Sequence, residues 1–178
     1  MSVLRCYSQK KTGFDVEAQG LLGALRDQLG IRGLESVVIL NRYDADQIDP
    51  AIYEQAKGIV FSEPQVDDVS AALPAQDAVA FAVEYLPGQF DQRADSARAC
   101  IQLMTQGDRP AVRTAKVYLL SGKLTPEDVE KIKHYVINPV EAREASLEPV
   151  TSLAMEVTQP QPPDVLRGFT AMGDRTLE

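Results

Sequence analysis

The sequence repeats one pattern of strand, helix, strand and short helix twice, at a spacing of about 75 residues. The landmarks are Gly13-Phe14-Asp15, which recurs as Gly88-Gln89-Phe90-Asp91, and Asp49-Pro50, which recurs as Thr125-Pro126. A unit of this size cannot bury its apolar face alone. We therefore predict an α+β fold of two tandem-duplicated units. Their strands form a packed or continuous antiparallel-type sheet with the helices on the outside.

In the first unit, β formers cluster in short apolar runs, and other apolar residues recur at helical spacing between capping residues and glycines. The elements predicted there are a strand over residues 2–9, a helix capped by Asp15 and ended by Gly30, a strand from Leu34 to Tyr43, a short helix from Asp49-Pro50 to Gly58, and a polar connector from Glu63 to Gln76.

The second unit repeats the order. A strand from Val79 to Tyr85 alternates large and small side chains, and Pro87-Gly88 ends it. A helix is predicted next, ending at Gly107, with Ala97, Cys100, Ile101 and Met104 pointing inward. A strand from Val112 to Leu120 follows. The last predicted helix starts at Thr125-Pro126 with a capping-box carboxylate and has an inner stripe of Val129, Ile132 and Val136.

Beyond Ser146 the sequence becomes rich in proline and poor in apolar residues, which is typical of an extended linker. We predict one domain over residues 1–148, with pseudo-repeats at about 1–75 and 76–148. Residues 149–178 are predicted to be a linker and the truncated start of a further domain. A pattern that stops at Glu178 predicts that the chain is a fragment.

Charge and composition exclude several classes of protein. The formal net charge of −8 and the pI near 4.7 disfavour general binding to nucleic acid or to a membrane surface. The first residues lack the apolar region of a signal peptide, and no long apolar run follows, so we expect a cytoplasmic protein. Cys6 and Cys100 have neither metal-site nor disulfide-framework spacing and are predicted to be free, buried thiols.

Catalytic chemistry has few candidate groups. The single histidine, His134, lies on a predicted amphipathic helix and is expected to be a solvated surface group. No phosphate-loop or dinucleotide fingerprint is present. The acidic pairs Asp67-Asp68 and Glu127-Asp128 have the oxygen ligands of a magnesium site, but capping or solubility explains such pairs better. We predict no catalytic residue and no metal ligand.

The best candidate for a site is the segment from Leu86 to Ser96, where a strand passes into a helix and free backbone amides can hold an anion. Arg93 can add a charge-assisted contact to a phosphate. The alternative is an ordinary turn in which Asp91 or Asp95 caps the helix, and the pattern alone favours that alternative.

Five strings resemble the long single-chain form of phosphoribosylformylglycinamidine synthase, an enzyme of purine biosynthesis, and they span about residues 3–148. They are GFDVEA (13–18), ILNRYD (39–44), VFSEPQVDDV (60–69), FAVEYLPGQFDQRADS (81–96) and YVINPVEAREA (135–145). In that family the amino-terminal domain is similar to a fused pair of the separate small subunit of multi-subunit versions. This agrees with the internal repeat.

The resemblance implies a ligase that uses ATP, magnesium and glutamine to convert formylglycinamide ribonucleotide to formylglycinamidine ribonucleotide. It also implies that this region is a non-catalytic domain packed against the synthetase and glutaminase domains, none of which falls in these residues, and that it needs no cofactor of its own. It further implies substrate-side contacts in the loop, from Gln89, Arg93, Asp95 and Ser96. Cys100 does not match the glutaminase nucleophile.

Two other functions stay open from the residues themselves. Repeats of this kind also form free-standing ligand-binding or assembly modules. A small independent enzyme using the Arg93 loop is a third hypothesis, which the scarcity of acids, bases and nucleophiles disfavours. As a fragment, the chain is expected to expose apolar surface and to self-associate.

Overall fold

The computed structural model describes residues 3–74 and 77–154, which form six strands and four helices. The elements are β1 (Leu4–Lys10), α1 (Val16–Asp27), β2 (Leu34–Asp46), α2 (Pro50–Ile59), β3 (Asp67–Ser70), β4 (Val79–Tyr85), α3 (Gln92–Thr105), β5 (Ala111–Gly122), α4 (Pro126–Val136) and β6 (Ala142–Ala145). The predicted α+β class is confirmed.

The six strands form one continuous antiparallel sheet in the order β3-β1-β2-β5-β4-β6. Each unit contributes three adjacent strands, and the two units meet where β2 pairs with β5. Counted from either edge, the sheet therefore has the same order: the third, first and second strand of one unit, followed by the second, first and third strand of the other. The sequence left a packed and a continuous sheet open, and the continuous one is found.

The strand registers repeat at a constant offset of 75 residues. Adding 75 to the β1–β2 pair Cys6–Tyr43 gives Phe81–Tyr118, which is a β4–β5 pair. All five β4–β5 pairs and all four β4–β6 pairs follow from the first unit in this way. At the centre of the sheet, Asn41 pairs with Lys116, and Lys116 is also the residue that the offset of 75 makes equivalent to Asn41. A pseudo-twofold axis therefore passes through the middle of the β2–β5 pair.

Each unit holds a third strand that the sequence did not predict. β3 lies in the stretch from Glu63 to Gln76, predicted as a polar connector, and β6 follows α4. Both are edge strands of four residues, DDVS and AREA, and most of their residues are exposed or half-buried. Such short polar segments have no hydrophobic alternation, and only backbone pairing with β1 or β4 identifies them as strands.

All four helices cover one face of the sheet, and each core cluster on that face combines both units. The α3 residues Ala97 and Ile101 pack with Cys6 and Tyr43 of the first unit. In the other cluster, Leu25 of α1 packs with second-unit residues that include Phe81, Tyr118 and Ile132. Neither unit therefore has a complete core without the other.

The opposite face, which we call the back face, combines apolar and charged groups. Leu40, Val117, Ala82 and Ala145 form one buried cross-strand row. Beside that row, Asp44 is fully buried between two arginines. Asp44 Oδ2 lies 3.1 Å from Nη2 of Arg5 and 3.1 Å from Nε of Arg42.

These arginines also hold the segment that follows β6. Arg42 Nη1 donates to the carbonyl of Ser146 at 2.7 Å, and Arg5 Nη1 donates to that of Leu147 at 2.8 Å. Further along, the backbone N–H of the buried Leu153 donates to Asp46 Oδ2 at 3.0 Å. Residues 146–153, in or next to the predicted linker, are thus anchored to the sheet. The rest of that linker lies outside the described residues.

Several local predictions need correction. Asp15 precedes α1, but its side chain turns back to the N–H of Gly13 and makes no capping bond. Cys100, predicted to point inward, is exposed, whereas Cys6 is buried. β2 continues three residues beyond its predicted end at Tyr43, because pairing with β5 extends to Asp46. Within residues 3–74 and 77–154, no helix is long and apolar enough to cross a membrane.

Candidate functional site

The predicted site segment lies where β4 passes into α3. Gly88 has a left-handed φ of 90° that a side chain would strain, so the turn requires glycine there. Asp91 caps α3, with Oδ1 2.9 Å from the N–H of Ala94, and its other oxygen accepts from the Thr114 hydroxyl at 2.8 Å. The alternative of a capped turn is therefore correct for Asp91, which joins the start of α3 to β5.

The four predicted site residues do not converge on one place. Arg93 and Ser96 line a cleft on the helical face of the sheet, which we call the central cleft. Gln89 and Asp95 line a second cleft, the loop cleft, formed around the β4–α3 loop. Asp95 and Ser96 are neighbours on α3, and successive residues of an α-helix point to different sides. The sequence of the loop alone did not show that the four residues would divide between two clefts.

The central cleft has a volume of about 580 Å³ and lies beside the pseudo-twofold axis, mostly on the side of the second unit. Its floor is formed by β5, the middle of β2 and the end of β4, and its walls are α3 and the turn between α4 and β6. The polar and charged residues that line it are Asn41, Tyr43, Glu84, Tyr85, Gln92, Arg93, Ser96, Thr114, Lys116, Tyr118, Asn138 and Glu141. Sequence reasoning did not select Lys116 or Thr114, although polar residues on the helix-covered face of an apolar strand were an available signal.

Two polar contacts cross the floor of this cleft. Arg93 Nη1 donates to the Tyr43 hydroxyl at 3.3 Å, and Lys116 forms an ion pair with Glu17 of α1. Burial raises the pKa of Tyr43, and the bond from Arg93 opposes that shift. Burial, with a smaller contribution from the Glu17 charge, raises the pKa of Tyr118 to about 12. Both tyrosines are therefore neutral hydrogen-bonding groups at pH 7.

The loop cleft, about 690 Å³, carries charges of both signs. Arg143 donates to Glu84 at 2.7 and 2.9 Å, and Asp95 forms an ion pair with Arg109 at 3.4 Å. Arg98 also lines this cleft, and its Nε is buried without a hydrogen-bond partner among the described residues. The internal pairing makes most of this cleft a structural ion network.

The histidine and the cysteines lie in three different places. His134 is exposed on α4 and lines neither cleft, as its predicted surface position implies. Burial raises the pKa of Cys6 to about 11, so its thiol stays protonated and unreactive at pH 7. Cys100 is exposed and lines the central cleft.

The acidic pairs have structural partners. Asp67 accepts from the N–H of Glu63 at 2.9 Å and lies 2.9 Å from the ammonium of Lys10. Asp128 completes the predicted capping box with Thr125. In the part of the chain that the structure describes, no three histidine, cysteine or carboxylate groups are placed to share a metal ion.

Comparison with known proteins does not place the chain in a family: no family model matches it, and no characterised protein matches it significantly.

Proposed function

We propose that this chain is the amino-terminal, small-subunit-like domain of a large single-chain phosphoribosylformylglycinamidine synthase, with a structural and assembly role in the cytoplasm. The observation that carries the proposal is the set of five strings that resemble that enzyme across about residues 3–148. The two-unit sheet supports it, because a fused pair of small subunits should repeat both element order and strand register.

In this proposal the domain supports a reaction that other parts of the enzyme catalyse. ATP, magnesium and glutamine belong to the synthetase and glutaminase domains, and the chain alone is inactive. Gln89, Arg93, Asp95 and Ser96 border two different clefts, so only Arg93 and Ser96 can share one substrate-side contact.

Exposed apolar side chains support contact with further domains, or self-association when those domains are missing. The large apolar groups that are more than half exposed are Phe14, Val16, Ile59, Phe90, Leu103 and Val140. Sedimentation velocity and binding of a hydrophobic dye measure this surface directly. A clean monomer that binds no dye would count against such an interface.

The test of the proposal is glutamine- and ATP-dependent formation of formylglycinamidine ribonucleotide by a synthase that carries this chain at its amino end. We expect deletion of residues 1–148 to abolish most of the activity, and addition of the separate 178-residue chain to restore part of it. Unchanged activity after deletion would overturn the proposal. The chain with Asp44→Ala, which destabilises the fold, is the matched negative control for rescue.

The central cleft favours a second candidate, a free-standing ligand-binding or assembly module. A cleft of about 580 Å³ that is lined by several polar groups is of the size that holds small ligands. This candidate predicts a ligand-dependent property of the isolated chain and no effect of the deletion on synthase activity. The two functions are therefore separated by the same deletion experiment.

A further inference from the structure

Beside the central cleft, the pseudo-twofold symmetry of the fold breaks down in charge. Gln89 is one extra residue in the β4–α3 loop, so the helices of the two units are related by an offset of 76 rather than 75. By that offset Arg93, on the first turn of α3, is the equivalent of Glu17 on α1. One position of the repeat thus carries a carboxylate in the first unit and a guanidinium in the second.

The two positions make contacts of different kinds. Glu17 forms an ion pair with Lys116 and so neutralises one charge beside the axis. Arg93 donates to an uncharged partner, the Tyr43 hydroxyl, and within residues 3–74 and 77–154 it forms no ion pair. The Glu17 charge is thus neutralised by Lys116, while Arg93 presents to the open cleft a cation that is unpaired among the described residues. Two carboxylates also line this cleft: Glu84, which is bound by Arg143, and Glu141, which is exposed.

From this asymmetry we infer that the central cleft binds the oxyanion of a small metabolite, a phosphate or a carboxylate, with Arg93 as its principal partner. A guanidinium matches either oxyanion through parallel N–H donors. Lys116 supplies a second, partly neutralised cation on the cleft floor. The inference names the ligand chemistry of the substrate-side contact at Arg93 and Ser96, and in that respect it rests on the proposed function; the geometry that carries it is that of the isolated chain.

The surrounding groups fit an organic ligand attached to that oxyanion. Asn138 uses its Oδ1 to accept from the N–H of Val140, which leaves its amide N–H groups for a ligand. Ser96 lies one turn along α3 from Arg93 and lines the same cleft. The cleft volume of about 580 Å³ lies within the range of about 300–1,000 Å³ that is usual for small-molecule sites.

The chain as a whole repels anions, which makes a local site testable. With a formal net charge of −8, nonspecific anion binding should be weak, so saturable binding would report a specific arrangement. The experiment is a titration of the ¹⁵N-labelled 178-residue chain with inorganic phosphate in one arm and malonate in another, at constant ionic strength adjusted with chloride. Amide shifts of Arg93, Thr114 and Lys116 are the readout.

We expect saturable shifts that cluster at the central cleft with at least one of the two anions, and the arm that saturates identifies the oxyanion. Arg93→Gln should weaken that binding by about 10- to 100-fold, because it removes a charge-assisted contact. Glu17→Gln should strengthen it several-fold, because Lys116 loses its competing carboxylate. Arg109→Gln, a change of an exposed arginine outside the cleft, is the matched control and should leave binding unchanged.

The inference is overturned if neither anion gives saturable shifts, or if Arg93→Gln binds as tightly as the unmodified chain. Arg93 is exposed, so its replacement should leave the fold intact, and the same spectra verify that dispersion is retained. A failure of this titration leaves the synthase deletion experiment unaffected, and the converse also holds.

Discussion

The two units of the sheet share one backbone register but differ in the chemistry of the back face. Under the offset of 75, three charged residues of the first unit correspond to apolar residues of the second: Arg5 to Ala80, Arg42 to Val117, and Asp44 to Leu119. Strand pairing therefore does not require either set. Backbone hydrogen bonds and the helix-covered core fix the register, and the back face has been free to diverge.

The difference also separates two roles. The apolar residues of the second unit only pack, whereas the arginines of the first unit bind carbonyl groups of residues 146–148. Charged groups in a buried sheet face are costly unless fully paired. Here the arginines fix the path of the segment that follows β6, because they donate hydrogen bonds to its backbone carbonyls. An apolar side chain cannot make such bonds.

The largest expected effect comes from separating the two units. Residues 1–75 and 76–154, prepared as separate chains, should each fail to unfold cooperatively, because each helical-face core draws residues from both units. Urea unfolding followed by far-ultraviolet circular dichroism is the measurement, with residues 1–154 as the control. A cooperative transition in either half alone would show that the shared core is not essential.

Removal of Asp44 should be the most damaging single change on the back face. Asp44→Ala leaves the buried Arg42 and the partly buried Arg5 without their carboxylate, and loss of one partner from a buried ion pair costs about 3–5 kcal/mol. The free energy of unfolding in urea measures this loss. The matched control, Leu119→Ala at the equivalent position, leaves an apolar cavity and no unpaired charge.

Replacing the charged residues of the first unit by their apolar equivalents from the second unit tests whether charge balance determines the stability of the back face. A triple variant, Arg5→Ala with Arg42→Val and Asp44→Leu, removes all three charges together and should recover most of the stability that Asp44→Ala loses. Equal instability of the single and triple variants would mean that the arginine bonds to the 146–148 carbonyls, rather than charge balance, dominate this face.

A pH-dependent difference is expected at one core position. Cys6 in the first unit corresponds to Phe81 in the second, and burial raises the pKa of Cys6 from 9.0 to about 11. Between these values the unfolded chain releases the thiol proton while the folded chain retains it. Stability is therefore lost as pH rises through this window, by about 3 kcal/mol in total for this group.

The measurement is the free energy of unfolding at several pH values from 8 to 11, compared between the unmodified chain and Cys6→Val. The free energy of unfolding of the unmodified chain minus that of Cys6→Val should decline from pH 9 to pH 11, because the variant has no thiol to titrate at this position. Buried tyrosines add an alkaline loss to both proteins, and burial, the largest cause of their raised pKa, is common to both. Cys6→Val removes only the smaller contribution that Cys6 makes to the pKa of Tyr43 and Tyr53. Cys100→Ala, which removes the exposed thiol, should follow the unmodified chain.

The sequence predicted the elements whose signals are local and periodic. It did not predict the features that depend on strand pairing or on contacts between distant residues. All four helices were predicted from apolar spacing and start signals, and the Thr125 capping box is present as predicted, although Asp15 makes no capping bond at α1. The edge strands β3 and β6 were not predicted, because their polar residues carry no period. The central cleft brings Arg93 to Tyr43 and Lys116 close to Glu17 through sheet pairing across 50 to 99 residues. No local pattern reports such contacts.

The smallest predicted effect distinguishes the two equivalent helix starts, Asp15 before α1 and Asp91 before α3. Asp91 caps its helix and binds both the N–H and the hydroxyl of Thr114, so Asp91→Ala should cost about 2 kcal/mol in urea unfolding. Asp15 lacks a capping bond, so Asp15→Ala should cost clearly less. Equal losses would mean that charge at the helix start, which both residues provide, matters more than hydrogen bonding. If Asp91→Ala also shifts the Arg93 amide, the cap positions the cation of the central cleft.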